Sequence, residues 1–234
     1  MKIAGRKESP LLSLIPCRNS DESSECHSLR KLSLSNVWLR EIMLQDLLNS
    51  CPLIVSLILK RCTGLDESEA PTLEHLSFSN YSYLDLDVIE CQNLKFLELN
   101  EVKTSNVFLD LVFKSQSLEV LKIQNCSDID DIDTSNLEVL KIQNCSGIDD
   151  IDTLNLEVLK IQNCSGIRDI DTSNLKVLKI QNCNGIRDID ISNLEVLKIV
   201  NCSGIRVIDS SNLVSLEYIG DQIPNLKGQV NQAN

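Results

Sequence analysis

The chain has 234 residues and a formal net charge of −12 at neutral pH. Hydrophobic residues make up 42% of it, which is enough for a packed core, but aromatic residues make up only 3%, so that core must be aliphatic. The acidic balance argues against a general nucleic-acid binder and against attachment to an anionic membrane surface. No apolar stretch approaches the ~18 residues that a membrane-spanning helix requires.

The first 28 residues do not show the pattern of a secretory signal. Their apolar stretch at residues 11–15 is interrupted by Ser13 and closed by Pro16, and it is shorter than the ~7–15-residue apolar region of such signals. We therefore expect an intracellular protein, located in the cytoplasm or the nucleus. Because this segment is rich in Ser and also contains Pro10, we expect residues 1–28 to be poorly ordered.

An internal repeat dominates the rest of the sequence. LEVLKIQNC occurs at 118–126, 137–145 and 156–164, with close copies at 175–183 and 194–202, and each step is 19 residues. The looser template LxxLxLxxC extends the series to ten copies, which begin at residues 29, 54, 73, 94, 118, 137, 156, 175, 194 and 213. Such self-similarity is typical of a solenoid. We expect about ten coils over residues 29–221, followed by a C-terminal tail at 222–234.

Each coil should contain one half-buried strand and should be unable to fold alone. In LEVLKI, Leu121 and Ile123 alternate with outward positions, which is the period of two that a strand shows. The coil at 137–155 offers six side chains to the interior, namely Leu137, Leu140, Ile142, Cys145, Ile148 and Ile151. Burying six such groups contributes roughly 10 kcal/mol or more. Ordering the coil costs ~1–2 kcal/mol per residue, so only stacked coils are stable.

The spacing also predicts what lies behind the strands. Segment 37–52 (VWLREIMLQDLLNSCP) has helical spacing that includes Leu39 and Met43 and a stop at Pro52, and segment 104–117 (TSNVFLDLVFKSQS) suggests a shorter helix. The 19-residue coils leave no room for a full helix, so their backing should be extended or 3₁₀.

The ten copies match LxxLxLxx(N/C)xL over about 190 of the 234 residues and resemble a leucine-rich repeat. This resemblance implies an α/β leucine-rich-repeat solenoid with a curved parallel β-sheet, helix-backed in the early coils and with extended or 3₁₀ backing in the 19-residue coils. Segment 29–65, with its SCP followed by a strand that ends in C, resembles the repeat region of plant F-box proteins. That family implies substrate recognition in a cullin-type (SCF) ubiquitin ligase. We find no F-box before Leu29, so a Skp-family adaptor is expected only if an F-box is encoded upstream.

The repeats place like residues in columns on the strand face. The candidate protein-binding face consists of Lys122, Gln124, Lys141, Gln143, Lys160, Gln162, Lys179, Gln181 and Lys198. Solenoids bind partners through such surfaces, so we expect a protein client. The competing interpretation is a solvated ladder in which a glutamate column (Glu119, Glu138, Glu157 and Glu195) relieves the repulsion between lysines. Nucleic acid is disfavoured, because residues 117–221 carry nine basic against eighteen acidic side chains and no stacking aromatics.

Two further sets of columns are candidate chemical sites. The cysteines Cys126, Cys145, Cys164, Cys183 and Cys202 should form a structural ladder of buried, inert thiols. Aspartates on the return side form two columns, one of Asp131, Asp150, Asp169 and Asp188 and one of Asp133, Asp152, Asp171, Asp190 and Asp209. They could bind Ca²⁺, but neighbouring Asn and Ser favour turns instead. The NCS sequons at Asn125, Asn144, Asn163 and Asn201 matter only in a secreted protein.

No catalytic constellation is visible. The only histidines are His27 and His75, and no nucleophile lies in a recognisable pairing with a base. We expect no enzymatic activity, no cofactor and no metal. Two alternatives to the F-box interpretation stay open: the ligand-sensing tail of a plant nucleotide-binding immune receptor, which shows LxxLxIxxCxxL repeats, and a scaffold fragment without a preserved partner.

Overall fold

The computed structural model describes residues 2–4, 28–39, 43–64, 68–80, 89–102, 117–127, 129, 131–133, 136–152, 154–171 and 174–227. In chain order its elements are β1 (Lys2–Ala4), β2 (Lys31–Ser35), α1 (Met43–Ser50), β3 (Ser56–Lys60), β4 (Ser68–Glu69), β5 (His75–Ser79), β6 (Ile89–Glu90), β7 (Phe96–Asn100), β8 (Val120–Gln124), β9 (Asp131–Asp133), β10 (Val139–Gln143), β11 (Asp150–Asp152), β12 (Val158–Gln162), β13 (Asp169–Asp171), β14 (Val177–Gln181), β15 (Asp188–Asp190), β16 (Val196–Val200), β17 (Val207–Asp209), β18 (Ser215–Ile219) and β19 (Asn225–Lys227). The helix expected over 104–117 lies outside the described residues, except for Ser117, which is in a turn.

One long parallel sheet carries the fold. Among the described residues it has eleven strands in the order β1-β2-β3-β5-β7-β8-β10-β12-β14-β16-β18. Each of the ten repeat copies supplies one of these strands, and β1 adds the eleventh. The register is the one that the 19-residue step dictates, with Leu140 beside Leu159 and Lys141 beside Lys160. A parallel repeat solenoid is thereby confirmed.

The alternating pattern along each strand fixes which side chains face the core. In β10 and β12 the Leu and Ile side chains are buried, while the Val, Lys and Gln between them are half-buried. All six interior residues expected for coil 137–155 are at most 4% exposed. They belong to one core cluster that runs from Leu32 to Ile208, so stacked coils share their apolar contacts, as a solenoid requires.

The backing of the regular coils is extended. β9, β11 and β13 form one short parallel sheet, β15, β17 and β19 form another, and β4 pairs with β6. The back strands β9, β11, β13 and β15 each have the sequence Asp-Ile-Asp, and Ile151 stands beside Ile132 and Ile170 in register. The extended alternative for the 19-residue coils is therefore the one observed.

A helix backs the first described coil, as expected, and its described residues lie within segment 37–52. α1 buries Leu44 and Leu48 and ends at Ser50, two residues before Pro52. Leu39 precedes the helix, is buried, and donates its backbone N–H to the Thr63 carbonyl at 2.7 Å. Leu39 is thereby paired with the next coil. No helix in the described part of the chain has the length and hydrophobicity needed to cross a membrane.

The two ends of the solenoid contain strands of their own. β1 lies within the predicted N-terminal segment and pairs with β2 in parallel, and β19 lies within the predicted tail and pairs with β17. The last coil packs loosely: Leu216 and Tyr218 stand at the core positions of β18, yet Leu216 is 36% exposed and Tyr218 is only half-buried. The fully buried apolar core thus ends before β18.

Candidate protein-binding face

The sheet brings the candidate binding residues together on its outward face. Parallel pairing in register aligns Lys122, Lys141, Lys160, Lys179 and Lys198, which we name the lysine row. The same pairing aligns Gln124, Gln143, Gln162 and Gln181, the glutamine row, with Val200 as the next neighbour of Gln181. Both rows line one depression of about 340 Å³. The sequence columns therefore form one continuous surface.

Carboxylates stand at both ends of the lysine row. Glu98 is the register neighbour of Lys122 and accepts a hydrogen bond from Ser77 Oγ at 3.1 Å. Glu217 is the neighbour of Lys198 and forms an ion pair with it at 2.8 Å. Five lysines on successive strands thus have a glutamate beyond each end, which gives the positive surface a defined length.

An aromatic pair adjoins the first lysine. The Lys122 ammonium lies 4.7 Å from the centre of the Phe96 ring, a cation–π contact. Phe96 in turn stacks on His75, with ring centres 4.5 Å apart. Both contacts cross between neighbouring strands, and nothing in the repeat template indicated them.

The interior of the row carries uncompensated positive charge. Lys141, Lys160 and Lys179 each have lysines as register neighbours on both sides. Partial burial lowers the pKa of Lys141, and the charges of Lys122 and Lys160 lower it further. None of these three interior lysines forms an ion pair with a carboxylate in the described part of the chain. The row therefore repels itself.

The glutamate column forms no described ion pair with the lysine row. Its one described ion pair lies within the column, where Lys176 occupies a glutamate position and contacts Glu157 at 2.7 Å. A hydrogen bond to Glu157 and the nearby acidic charge raise the pKa of Lys176. The described ion pairs therefore join neighbours within one column and not the glutamate column to the lysine row.

An asparagine ladder that the sequence reasoning missed runs beside the glutamine row. Its members are Asn125, Asn144, Asn163, Asn182 and Asn201, each with a φ between 51° and 53°. The side-chain amide nitrogen of each asparagine donates a hydrogen bond of 2.7–3.3 Å to the side-chain oxygen Oδ1 of the asparagine one coil earlier. For Asn125, the first member, that acceptor is Asn100. Asn tolerates this left-handed conformation better than most residues. The recurrence of Asn before Cys was the signal.

The cysteine column lies largely inside the solenoid. Cys126, Cys145, Cys164 and Cys183 are buried and all five thiols of the column are free. The Cys164 thiol donates to the Gln162 carbonyl at 3.2 Å, and its neighbours repeat this bond. The thiol–thiol hydrogen bond to Cys126, together with burial, raises the pKa of Cys145 to about 11. The same thiol–thiol hydrogen bond lowers the pKa of Cys126.

The aspartate columns also form in register on the back of the solenoid. Asp150 stands beside Asp131 and Asp169, and Asp152 beside Asp133 and Asp171. Next to them Arg168 forms an ion pair with Asp149, so an arginine relieves the acidic charge between adjacent coils. Within the described ranges no group of three or more His, Cys, Asp or Glu side chains is arranged to hold a metal ion.

No protein-family model matches the chain, and no curated protein matches it either.

Proposed function

We propose that this chain is a non-catalytic, intracellular protein-binding module of the leucine-rich-repeat class. We further propose that it recognises substrates for an SCF-type ubiquitin ligase, as plant F-box proteins with such repeats do. A Skp-family adaptor would join the assembly through an F-box encoded upstream. The partner is a protein, and neither nucleic acid nor a membrane is part of the proposal.

The observation that carries the binding role is the unneutralised lysine row. Like charges held in register across neighbouring strands destabilise a sheet, yet five successive strands each place a lysine on the same outward face. A partner that brings negative charge would relieve this repulsion. Large, regular sheet faces of solenoids are suited to such partners.

The repeat class rests on spacing and on the early coils. Strands recur at the LxxLxL positions of all ten copies, and α1 ends at Ser50, the first residue of the SCP in the F-box-type segment 29–65. These features support the repeat-class resemblance, because they reproduce the order of helix, SCP and strand on which that resemblance rests.

Affinity capture from plant extract tests the proposal. The full native gene product should retain a client together with ubiquitin-ligase components. The Lys141→Glu/Lys160→Glu variant should lose the client, since it replaces two central positive charges by negative ones. The matched control is Arg187→Glu/Lys227→Glu, which changes the net charge equally at two exposed positions outside the row.

Three results would count against parts of this proposal. Retention of the same client by both variants would remove the lysine row as the binding face. Capture of a client without ligase components would leave the binding role and remove the ubiquitin-ligase role. A P-loop sequence (GxxxxGK[ST]) encoded upstream, in place of an LPxxL-type F-box helix, would favour the immune-receptor tail instead.

A further inference from the structure

We propose that the element recognised by the lysine row is an acidic, amphipathic α-helix of the partner, lying along the row and across the strands. This inference rests on the proposed binding role and specifies its chemistry. Charge, spacing along the row, width of the face and the acidic ends of the row all fit a helix of this kind.

Charge selects an acidic partner. The whole chain carries −12, so a general attraction for anions is not expected. The lysine row is a local exception: its interior members have no described carboxylate partner, and the pKa of Lys141 is lowered by burial and by its lysine neighbours. Carboxylates placed on the row would satisfy these ammonium groups in a partly desolvated depression.

Spacing along the row selects a helix over an extended peptide. Adjacent strands lie ~4.8 Å apart, so five lysines span about 19 Å. Helix residues i, i+4, i+7, i+11 and i+14 lie on one side and span about 21 Å at 1.5 Å per residue. Alternate residues of an extended peptide lie about 6.7 Å apart and fall out of step with the lysines after two positions.

Width and side-wall chemistry select an amphipathic helix. The outward positions of one strand, such as Val139, Lys141 and Gln143, cover about 13 Å, close to the 10–12 Å diameter of a helix with its side chains. On one side of the lysine row the valines Val120, Val139, Val158, Val177 and Val196 are half-buried and apolar. On the other side stands the glutamine row. Apolar residues next to the acidic stripe of the helix would contact the valines.

The ends of the row set the register of the partner. Glu98 and Glu217 flank the first and last lysines, so an acidic stripe that extends beyond them meets like charge. A helix with about five carboxylates over four turns therefore fits better than a longer acidic tract. A nucleic acid would also meet these acids, and the regular coils offer it no aromatic side chains for stacking.

Fluorescence anisotropy with synthetic peptides tests this inference on the full chain. The probe is an 18-residue helical peptide with Glu at positions 2, 6, 9, 13 and 16 and Leu beside that stripe. A second peptide has the same composition with Glu spread evenly around the helix, and a third carries the same charges but contains Pro to keep it extended. Circular dichroism verifies the conformations.

The striped helix should bind at least tenfold more tightly than either other peptide. Lys141→Gln/Lys160→Gln should weaken its binding by about tenfold, whereas Arg187→Gln/Lys227→Gln should change it less than about twofold. Thermal unfolding of each variant confirms that it is folded. Equal binding of all three peptides, or insensitivity to Lys141→Gln/Lys160→Gln, would overturn the inference, because either result would reflect unspecific attraction between charges.

The two proposals fail in different ways. If Lys141→Glu/Lys160→Glu loses a captured client but the striped helix does not bind, the face binds a protein of another shape and only this inference is overturned. If the striped helix binds as expected but no client is captured through the face, the chemistry of the surface stands and the proposed function is overturned. Tighter binding of the extended peptide would assign the row to strand-like partners instead.

Discussion

The regular coils from residue 117 onwards and the irregular coils before residue 103 adopt the same backbone conformation after their strands, although the side chains there differ. After most strands of the long sheet, in both regions, the next residue adopts a positive φ and donates its N–H to the neighbouring strand. After β8, β10, β12, β14 and β16 this residue is always Asn, whereas in the irregular region it is Asn36 after β2, Arg61 after β3 and Glu101 after β7. The turn thus belongs to the solenoid as a whole, and the asparagine ladder is an addition made possible by strict repetition.

The same contrast extends to the back of the molecule. The early coils vary in length and accommodate α1, while the regular coils return through short parallel strands such as β11 and β13. One core nevertheless joins both regions. Repetition therefore adds surface ladders of Lys, Gln, Asn and Asp to a fold whose stability comes from shared apolar contacts.

The largest expected effect concerns the common core. Leu57→Ala and Leu159→Ala remove side chains that are 0% exposed, one in each region, and each should lower the free energy of unfolding by about 2–5 kcal/mol. Leu216→Ala, at the equivalent position of the loosely packed last coil, should cost less than about 1 kcal/mol, since fewer contacts are lost there. Urea denaturation measures all three, and a negligible effect of Leu57→Ala would show that the two regions do not share one core.

Because of the cysteine column, the free energy of unfolding should fall at alkaline pH. The raised pKa of Cys145, about 11 against an ordinary value of 9.0, means that the folded state holds this proton more tightly than the unfolded state. Its contribution is fully present below pH 9 and is lost as pH rises towards 11. The loss should amount to about 2–3 kcal/mol. Comparison of pH profiles for the native chain and Cys145→Ala isolates it, and parallel profiles would refute it.

The asparagine ladder distinguishes the regular coils from the irregular ones. Asn163→Ala should cost about 2 kcal/mol, because alanine is strained at this φ and two amide hydrogen bonds are lost. Asn163→Gly keeps the conformation and should cost less. Glu101→Asn should do the opposite and stabilise the chain by up to about 1 kcal/mol. Thermal unfolding ranks the variants; equal effects of Ala and Gly at 163 would mean that backbone strain plays no part.

The smallest effect concerns the lysine row. Lys160→Gln should raise the free energy of unfolding by up to about 0.5 kcal/mol, since it removes repulsion with Lys141 and Lys179. The gain should shrink with added salt. Lys176→Gln is the matched change in the glutamate column, where it removes the ion pair with Glu157 and should be neutral or slightly destabilising. Denaturation at two ionic strengths distinguishes them.

The sequence predicted most of the features that depend on the repeat period. The 19-residue step set the parallel register, and the alternation in LEVLKI placed Leu140 and Ile142 in the core. The features that it did not reveal depend on conformation within a turn or on contacts between unlike coils. The left-handed φ of Asn163 cannot be deduced from an NCS sequon, and the stack of His75 on Phe96 joins two coils that differ in sequence.

A distance across both regions tests the central claim, that all coils stack in one register. Two genetically encoded spin labels, at Ser77 in β5 and Lys198 in β16, avoid the native cysteines. Six strand-to-strand steps separate these positions, so pulsed dipolar spectroscopy should give a narrow distribution near 29 Å, at ~4.8 Å per step. A mean below about 20 Å, or a broad distribution without a maximum in this range, would contradict the stacked solenoid and with it the lysine row.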